Sequence, residues 1–436
     1  MRIQAASGIL LFVAAAVAMI WANSPWAASY VHLWHTPLAI RIGNFAFERT
    51  LEWFVNDGLM VIFFFLVGLE IRREIHHGEL SEWRRAALPV AAAAGGMLVP
   101  AGLYLLFAGA PAVRSGWGVP MATDIAFAVG ILTLLGSRVP PALRVLLLAL
   151  AVIDDLGAII VIALFYSEGV SLSGLAAAAV GLTLIFGMQR FGVRAKLAYV
   201  VPSLVAWAGI YAAGIHPTIA GVIVGFVTPV RAWLGPQGFV RAARQELEQL
   251  AKVDTTTLTS HELAGMLRQV SLVRREAMSP SESLIEMLHP WVAYGIMPVF
   301  ALANAGVAIS GDALSAASWT VITGITVGLV FGKPIGVLIA SWVTLRLGVA
   351  ILPVGIGFRH LTVLGLVAGV GFTMALFIAQ LAFADLELLT AAKLGVLVAS
   401  GIAAVLGVGL GVSLLSTAPT PGAAQSADEA ESSTEV

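Results

Sequence analysis

Residues 142–166 read ALRVLLLALAVIDDLGAIIVIALFY, an apolar run whose only acidic residues, Asp154 and Asp155, stand side by side near its middle. A helix of that length crosses the roughly 30 Å hydrocarbon core of a bilayer. A charged group at that depth costs at least ~2.5–3.5 kcal/mol on insertion scales, so each aspartate needs a partner or a purpose.

Outward from this run the same pattern fills the chain. Of 436 residues, 59% are hydrophobic and 11% charged, against about 25% charged in an ordinary soluble domain. Apolar runs lie near 8–24, 53–76, 87–108, 118–136, 142–166, 172–189, 196–213, 215–230, 287–309, 318–345, 360–384 and 389–415. They predict an all-α membrane protein of twelve transmembrane helices. The first run resembles a signal peptide, but Pro25 directly follows the small-residue site at Ala22-Asn-Ser24, so it reads as a retained first helix.

The basic residues orient these spans. With the N-terminus inside, nineteen Lys/Arg fall in inside segments and only Arg41, Arg49 and Arg114 fall outside. Cytoplasmic loops hold such an excess, so both termini are expected in the cytoplasm of a multi-pass bacterial inner-membrane protein. Residues 1–229 then carry helices one to eight, and 286–415 carry helices nine to twelve. Between them, 230–285 forms a cytoplasmic connection with amphipathic stretches at Phe239–Val253 and His261–Met278, which lies free or on the membrane surface. The tail 416–436 is too poor in apolar residues to order itself and is expected to be a disordered cytoplasmic segment. The net charge of -1 gives no reason to expect a nucleic-acid partner, and the absence of cysteine removes disulfides, thiolate metal sites and thiol redox chemistry. No nucleotide-binding loop is present to drive transport by ATP.

Few charges lie deep within the spans, and the clearest are Asp154 and Asp155, Asp124 in Met121-Ala-Thr-Asp124, and Lys333 in Phe331-Gly-Lys333-Pro-Ile-Gly. Adjacent helical residues point about 100° apart, so the two aspartates share a cavity but have different tasks. Held together in a poorly solvated site, they couple their titrations. A hard monovalent cation such as sodium or lithium prefers oxygen ligands and competes with protons for them. Competition at one site, opened alternately to each side, is an exchange mechanism. The plainer alternative has the pair making ion pairs or capping a broken helix. Lys333 is the natural counter-charge to one aspartate, the alternative being a lysine that reaches to the interface. Asp124 lies in a short span opened by Gly118 and Pro120, the pointer to a discontinuous helix; there an aspartate would neutralise a positive helix end, with Thr123 offering further oxygens. Gly365, Gly369 and Gly371 interrupt the matching run in the second half, either as a second break or as a close packing face.

At these residues the chain resembles the NhaA family of bacterial sodium/proton antiporters. The strings that carry the resemblance are Ala122-Thr-Asp-Ile-Ala-Phe-Ala, Val152-Ile-Asp-Asp-Leu-Gly-Ala-Ile-Ile, His216-Pro-Thr-Ile-Ala-Gly-Val-Ile-Val-Gly, Leu288-His-Pro-Trp-Val-Ala-Tyr, Phe300-Ala-Leu-Ala-Asn-Ala-Gly, Gly332-Lys-Pro-Ile-Gly and Gly371-Phe-Thr-Met, in family order. The resemblance implies twelve helices with an inverted repeat and two discontinuous helices crossing near mid-membrane. It implies that the transported sodium or lithium binds at Asp155 with Asp154, that Asp154 pairs with Lys333, and that Asp124 balances the helix ends with Thr123 nearby. It further implies electrogenic, pH-regulated exchange without a cofactor. The pH-sensing positions would be Glu70, Arg73, Glu74, Glu286 and His289, with Leu284 and Met287 departing from the pattern of relatives. A homodimer is also implied, joined in relatives by a small hairpin whose place here is His32 to Arg49. His216 reads as a structural histidine.

An intramembrane aspartyl protease is the rival enzyme, but its acids face each other from different helices, and no Gly-x-Gly-Asp string occurs in an apolar span here. A sodium-coupled solute symporter on a related fold is the alternative transporter, distinguished by solute-dependent sodium uptake; saturable exchange would set the protein apart from a passive channel.

Overall fold

The computed structural model describes residues 2–43, 45–167, 169, 171–232, 234–252, 277–308 and 315–415. Most of residues 261–278 and the whole of 416–436, where an amphipathic stretch and a disordered tail are expected, lie outside them. In chain order the elements are α1 (Arg2–Ala22), α2 (Ala27–Trp34), β1 (Pro37–Ile42), β2 (Phe45–Thr50), α3 (Leu51–His77), α4 (Trp83–Phe107), α5 (Pro111–Met121), α6 (Ile125–Leu134) and α7 (Pro141–Phe165). There follow α8 (Leu172–Arg190), α9 (Lys196–Ala212), α10 (Thr218–Val227), α11 (Pro236–Lys252), α12 (Pro280–Asn304), α13 (Ala316–Arg346), α14 (Phe358–Ala368), α15 (Phe372–Ala382) and α16 (Leu386–Leu414).

Seven of these helices are long and apolar enough to cross a membrane, and ten spans result if each bent pair counts as one. The α11 helix is short of that class: its charged residues Arg241, Arg244 and Glu248 are exposed, and Arg244 Nε lies 3.3 Å from Glu248 Oε1 one turn on. The all-α expectation is corrected at one place, where β1 and β2 pair antiparallel from Pro37↔Thr50 to Ile42↔Phe45. Both six-residue strands carry apolar residues at successive positions, Pro37 to Ile40 and Phe45 to Phe47, and Gly43 takes φ +59 at the turn, a left-handed conformation that costs glycine nothing. Strands this short, without a clean period of two, do not register against the long apolar runs on either side.

The chain divides into two compact units, Met1–Trp34 with Glu82–Val161 and Pro298–Val436, and His35–Ser81 with Ile162–Met297. In the first, α4 and α13 pack backbone to backbone: a Cβ on Gly336 would lie 2.1 Å from the Gly95 carbonyl oxygen, and one on Gly95 would lie 2.2 Å from that of Gly336. Small residues permit this approach in an apolar solvent, where van der Waals contact rather than water exclusion joins helices. Just before this crossing, residues Gly328–Gly332 widen into a π turn in which the Lys333 N–H bonds to Gly328 O. The wide turn accommodates Pro334, which lacks an N–H and crowds the preceding turn of a regular helix. Gly365 of α14 presses on Pro334, its would-be Cβ 2.9 Å from the Pro334 Cα. That glycine is therefore a packing face; the break falls later, at 369–371.

The second unit is knit by the same device. The α8 and α9 helices meet at Gly174, Gly181 and Gly209, and α3 meets α10 at Gly68, Gly221 and Gly225, each with neighbouring backbone within 2.7 Å of where a Cβ would stand. The hairpin is fastened to this unit by Arg49, which donates to the Tyr211 hydroxyl (2.8 Å) and lies over the rings of Phe47 and Trp53.

Candidate functional site

Two bent helices of the first unit meet at their breaks. The α5–α6 pair bends by 47° and the α14–α15 pair by 48°. At the first break Ala122 to Asp124 leave the helix, and the Asp124 N–H donates to Val370 O in the second break (2.8 Å). Each half-helix end exposes unpaired backbone groups that the membrane interior cannot satisfy with water.

Asp124 satisfies two of those ends at once. Its Oδ1 accepts the Phe127 N–H (3.0 Å) at the start of α6, while its Oδ2 accepts the Thr373 N–H (3.2 Å) and the Thr373 hydroxyl at the start of α15. One carboxylate thus faces two positive helix ends, the most favourable place for a buried negative charge. The Phe372 N–H is taken by Ser400 Oγ of α16 (3.1 Å). Both Thr373 and Ser400 are buried. Thr373 closes the glycine run singled out in the sequence, whereas Ser400 is one of three hydroxyl residues of α16, with Thr390 and Ser413, and nothing in the sequence sets it apart.

The negative ends are met by donors. Lys333 Nζ donates to the carbonyl of Met121, the last residue of α5, and lies 2.6 Å from Asp154 Oδ2. Thr123 donates to the same Asp154 oxygen (2.6 Å), and its hydroxyl lies 2.9 Å from the carbonyl of Ala368, the last residue of α14. Asp154 and Lys333 are entirely withdrawn from solvent, as is Asp155 at 0% exposure. Asp154 Oδ1 has no hydrogen-bond partner among the described residues. The five residues Thr123, Asp124, Asp154, Asp155 and Lys333 therefore fall in one unit; Thr123, Asp154 and Lys333 share one hydrogen-bonded cluster, and Asp124 bridges the two breaks through a second.

A known family profile fits this architecture. The profile of Na+/H+ antiporter 1 matches residues 1–410. The chain belongs to that family. It is 70% identical over 434 residues to the Na(+)/H(+) antiporter NhaA 2 of Myxococcus xanthus, covering 100% of this chain and 92% of the relative. Identity is 55% to the protein of that name from Sorangium cellulosum (100% of this chain, 93% of the relative) and 51% to that from Pseudomonas putida strain KT2440 (94% and 91%). Family membership and the apolar helices make the chain a multi-pass bacterial membrane protein.

The five candidates for pH sensing belong to the second unit and the aspartates to the first. Glu70, Arg73 and Glu74 end α3, with Arg73 Nη2 3.7 Å from Glu74 Oε1. Glu286 is exposed on α12, whose first half packs on α3, and His289 one turn along lies within electrostatic reach of Arg73. His216 is held on both sides: its Nε2 lies 3.3 Å from Asp57 Oδ1 and its Nδ1 2.8 Å from Thr218 Oγ1. Asp57, a partly buried acid with no motif around it in the sequence, lies in the π turn Phe54–Leu59 early in α3.

Proposed function

We propose that the protein is an electrogenic, pH-regulated sodium(lithium)/proton antiporter of the bacterial inner membrane, in which cations and protons compete at Asp154 and Asp155. The observation that carries this reading is the buried Asp154–Lys333–Thr123 cluster between two broken helices. Relatives named sodium/proton antiporters support it.

In this mechanism Asp155 is the principal cation ligand, and Asp154 contributes its Oδ1, which no donor among the described residues occupies. Thr123 lets Asp154 change charge without rearrangement. Toward the carboxylate its hydroxyl donates; toward a protonated Asp154 it accepts, and its own hydrogen turns to the Ala368 carbonyl at 2.9 Å. Lys333 holds the unloaded carboxylate and the Met121 carbonyl together, so a cation drawing on Asp154 competes with the lysine as well as with protons. Asp124, with all its bonds committed to helix ends, is a fixed charge that keeps the two breaks together. Ions moving at the aspartates then need only the surrounding helices to open alternately to each side.

The same reading covers architecture and placement. Seven long apolar helices, three bent pairs and the shorter apolar helices Lys196–Ala212 and Thr218–Val227 make twelve membrane segments. Within the first unit α4, α5–α6 and α7 match α13, α14–α15 and α16: in each set the middle member is broken, as expected of an inverted repeat. Residues 1–229 and 286–415 form the membrane part, 230–285 the cytoplasmic connection and 416–436 a cytoplasmic tail, with both termini inside. The protein acts as a homodimer in lipid, and Glu70, Arg73, Glu74, Glu286 and His289 adjust its response to pH.

The test uses everted vesicles from an antiporter-deficient host, energised to build a pH gradient and then given sodium or lithium from mildly acid to alkaline pH. The cation should collapse the gradient with wild type and not with Asp155→Asn. No response of the wild type at any pH would end the antiporter assignment and direct attention to solute-dependent sodium uptake. An active Asp155→Asn would remove only the ligand assignment.

A further inference from the structure

A second polar contact of the first unit lies along the same broken helix, away from the aspartates. Gln380 of α15 donates through Nε2 to Asn304 Oδ1, at the last residue of α12. The direction of this bond is settled by Asn304 itself, whose Nδ2 donates to the Phe300 carbonyl (2.9 Å) and so turns Oδ1 toward Gln380. Asn304 is fully buried, and Gln380 is the first residue of α15 after Phe372 that is not.

The two amides differ in how firmly they are held. Asn304 ends a helix anchored from α1 and α2. The Tyr30 hydroxyl bonds to the carbonyls of Leu302 and Ala303 (2.8 and 2.9 Å), and Asn23 Nδ2 donates to the Val307 carbonyl (2.8 Å). Gln380 rides instead on the half-helix whose first turn carries Thr373, the residue bonded to Asp124. Seven residues separate Thr373 from Gln380, two turns and about 10 Å along one face of the helix. Between them stands Phe377, packed against Phe300 with ring centroids 6.3 Å apart in an edge-on arrangement. Both rings are buried. The order along this face is thus the Asp124–Thr373 contact, then two aromatic rings, then the amide pair.

We propose that the Asn304–Gln380 bond is a latch that holds α15 against the anchored end of α12 and keeps the exchange site closed on its outer side. The proposal rests on the exchange reading and on its orientation, in which both residues lie toward the outside. The Phe300–Phe377 pair excludes water, and the latch sets how often the pair parts. Asn304 and Gln380 are positioning residues: they touch no ion and act by biasing which side the site opens to.

The chain has no cysteine, so a single introduced thiol reports without interference. Leu376→Cys places it one turn inside Gln380, where a membrane-impermeant maleimide reaches it only when the outer side opens. In right-side-out vesicles Gln380→Leu should label about fivefold faster than the reporter alone, the shift that loss of one neutral hydrogen bond produces. In everted vesicles the same change should not speed labelling. Equal labelling rates with and without Gln380→Leu would overturn the proposal, and so would equal acceleration from both sides, which marks general loosening. If Gln380→Leu does not accumulate, the double variant Asn304→Leu/Gln380→Leu leaves no buried amide unpaired and carries the same expectation. Cation-driven proton movement in the everted vesicles is read separately. Its absence with normal sided labelling would end the exchange reading and leave the latch standing.

Discussion

Replacing Lys333 by methionine removes the one cation in the aspartate site while roughly keeping its volume. At the observed 2.6 Å from Asp154 Oδ2, a unit charge pair in a medium of effective dielectric 20 attracts by about 6 kcal/mol. Much of that is offset by the cost of burying the lysine. What the variant loses is the compensation of Asp154, and orphaning one member of a buried pair costs about 3–5 kcal/mol. The lost bond to the Met121 carbonyl adds about 1 kcal/mol. Asp154→Asn, which strands Lys333 in turn, should cost a similar amount. The double variant Lys333→Met/Asp154→Asn strands neither member of this pair, and its amide still bonds to Thr123, so it should lie within about 1 kcal/mol of wild type. With an unfolding entropy of roughly 2.1 cal/mol/K per residue, the scale for a chain of this length is about 1 °C per kcal/mol. Thermal unfolding in detergent should therefore show each single variant about 4–6 °C low and the double variant near wild type. A double variant as low as the sum of the two singles would mean that the residues do not act as a pair, and the account of the site given above would fail.

Four further outcomes follow from the same geometry. Asp124→Asn turns an amide N–H2 toward donors it cannot accept from and removes a charge from two helix ends, at a cost of about 2–4 kcal/mol; Thr373→Val should cost only about 1 kcal/mol, and equal melting shifts would count against the double-capping role. Gly336→Val places a Cβ 2.1 Å from the Gly95 carbonyl oxygen, so no monodisperse protein should be recovered on size exclusion, whereas Gly401→Ala, with nothing within 4 Å, should be recovered normally. Ser400→Ala leaves the Phe372 N–H unpaired and should lower stability by about 1–2 kcal/mol in the same melting assay, with an unchanged melt showing that another acceptor serves it. If cations and protons compete for the same carboxylates, the sodium concentration giving half-maximal exchange should fall by up to about tenfold per pH unit on the acid side and level off when alkaline; a value independent of pH would show that the sites are separate.

Much of the membrane architecture is legible in the residues because hydrocarbon is an undemanding but absolute solvent. It requires long apolar runs wherever helices cross, so the runs near 53–76, 87–108 and 142–166 find counterparts at Leu51–His77, Trp83–Phe107 and Pro141–Phe165. It also makes each buried charge conspicuous, and Asp124, Asp154, Asp155 and Lys333 stand out for that reason alone. Short features fare worse. The strands of the hairpin are six residues each, below the length at which alternation is distinct from a broken apolar run. The glycines at 365–371 read equally as break or packing face, and both readings hold at different positions: Gly365 packs on Pro334, while Gly371 begins the second half-helix.

The sequence by itself determined that this chain lives in lipid, that its buried charges are few, and that two of its apolar runs are interrupted. Each is a property of composition along one segment. Which of those charges meet was decided by the tertiary structure. Lys333 of α13 meets Asp154 of α7, and Asp124 caps two half-helices because the breaks at 122–124 and 369–371 come together. The partners lie far apart in the chain. Only packing brings them within hydrogen-bond distance, where an apolar surround allows no water to stand in for a missing partner.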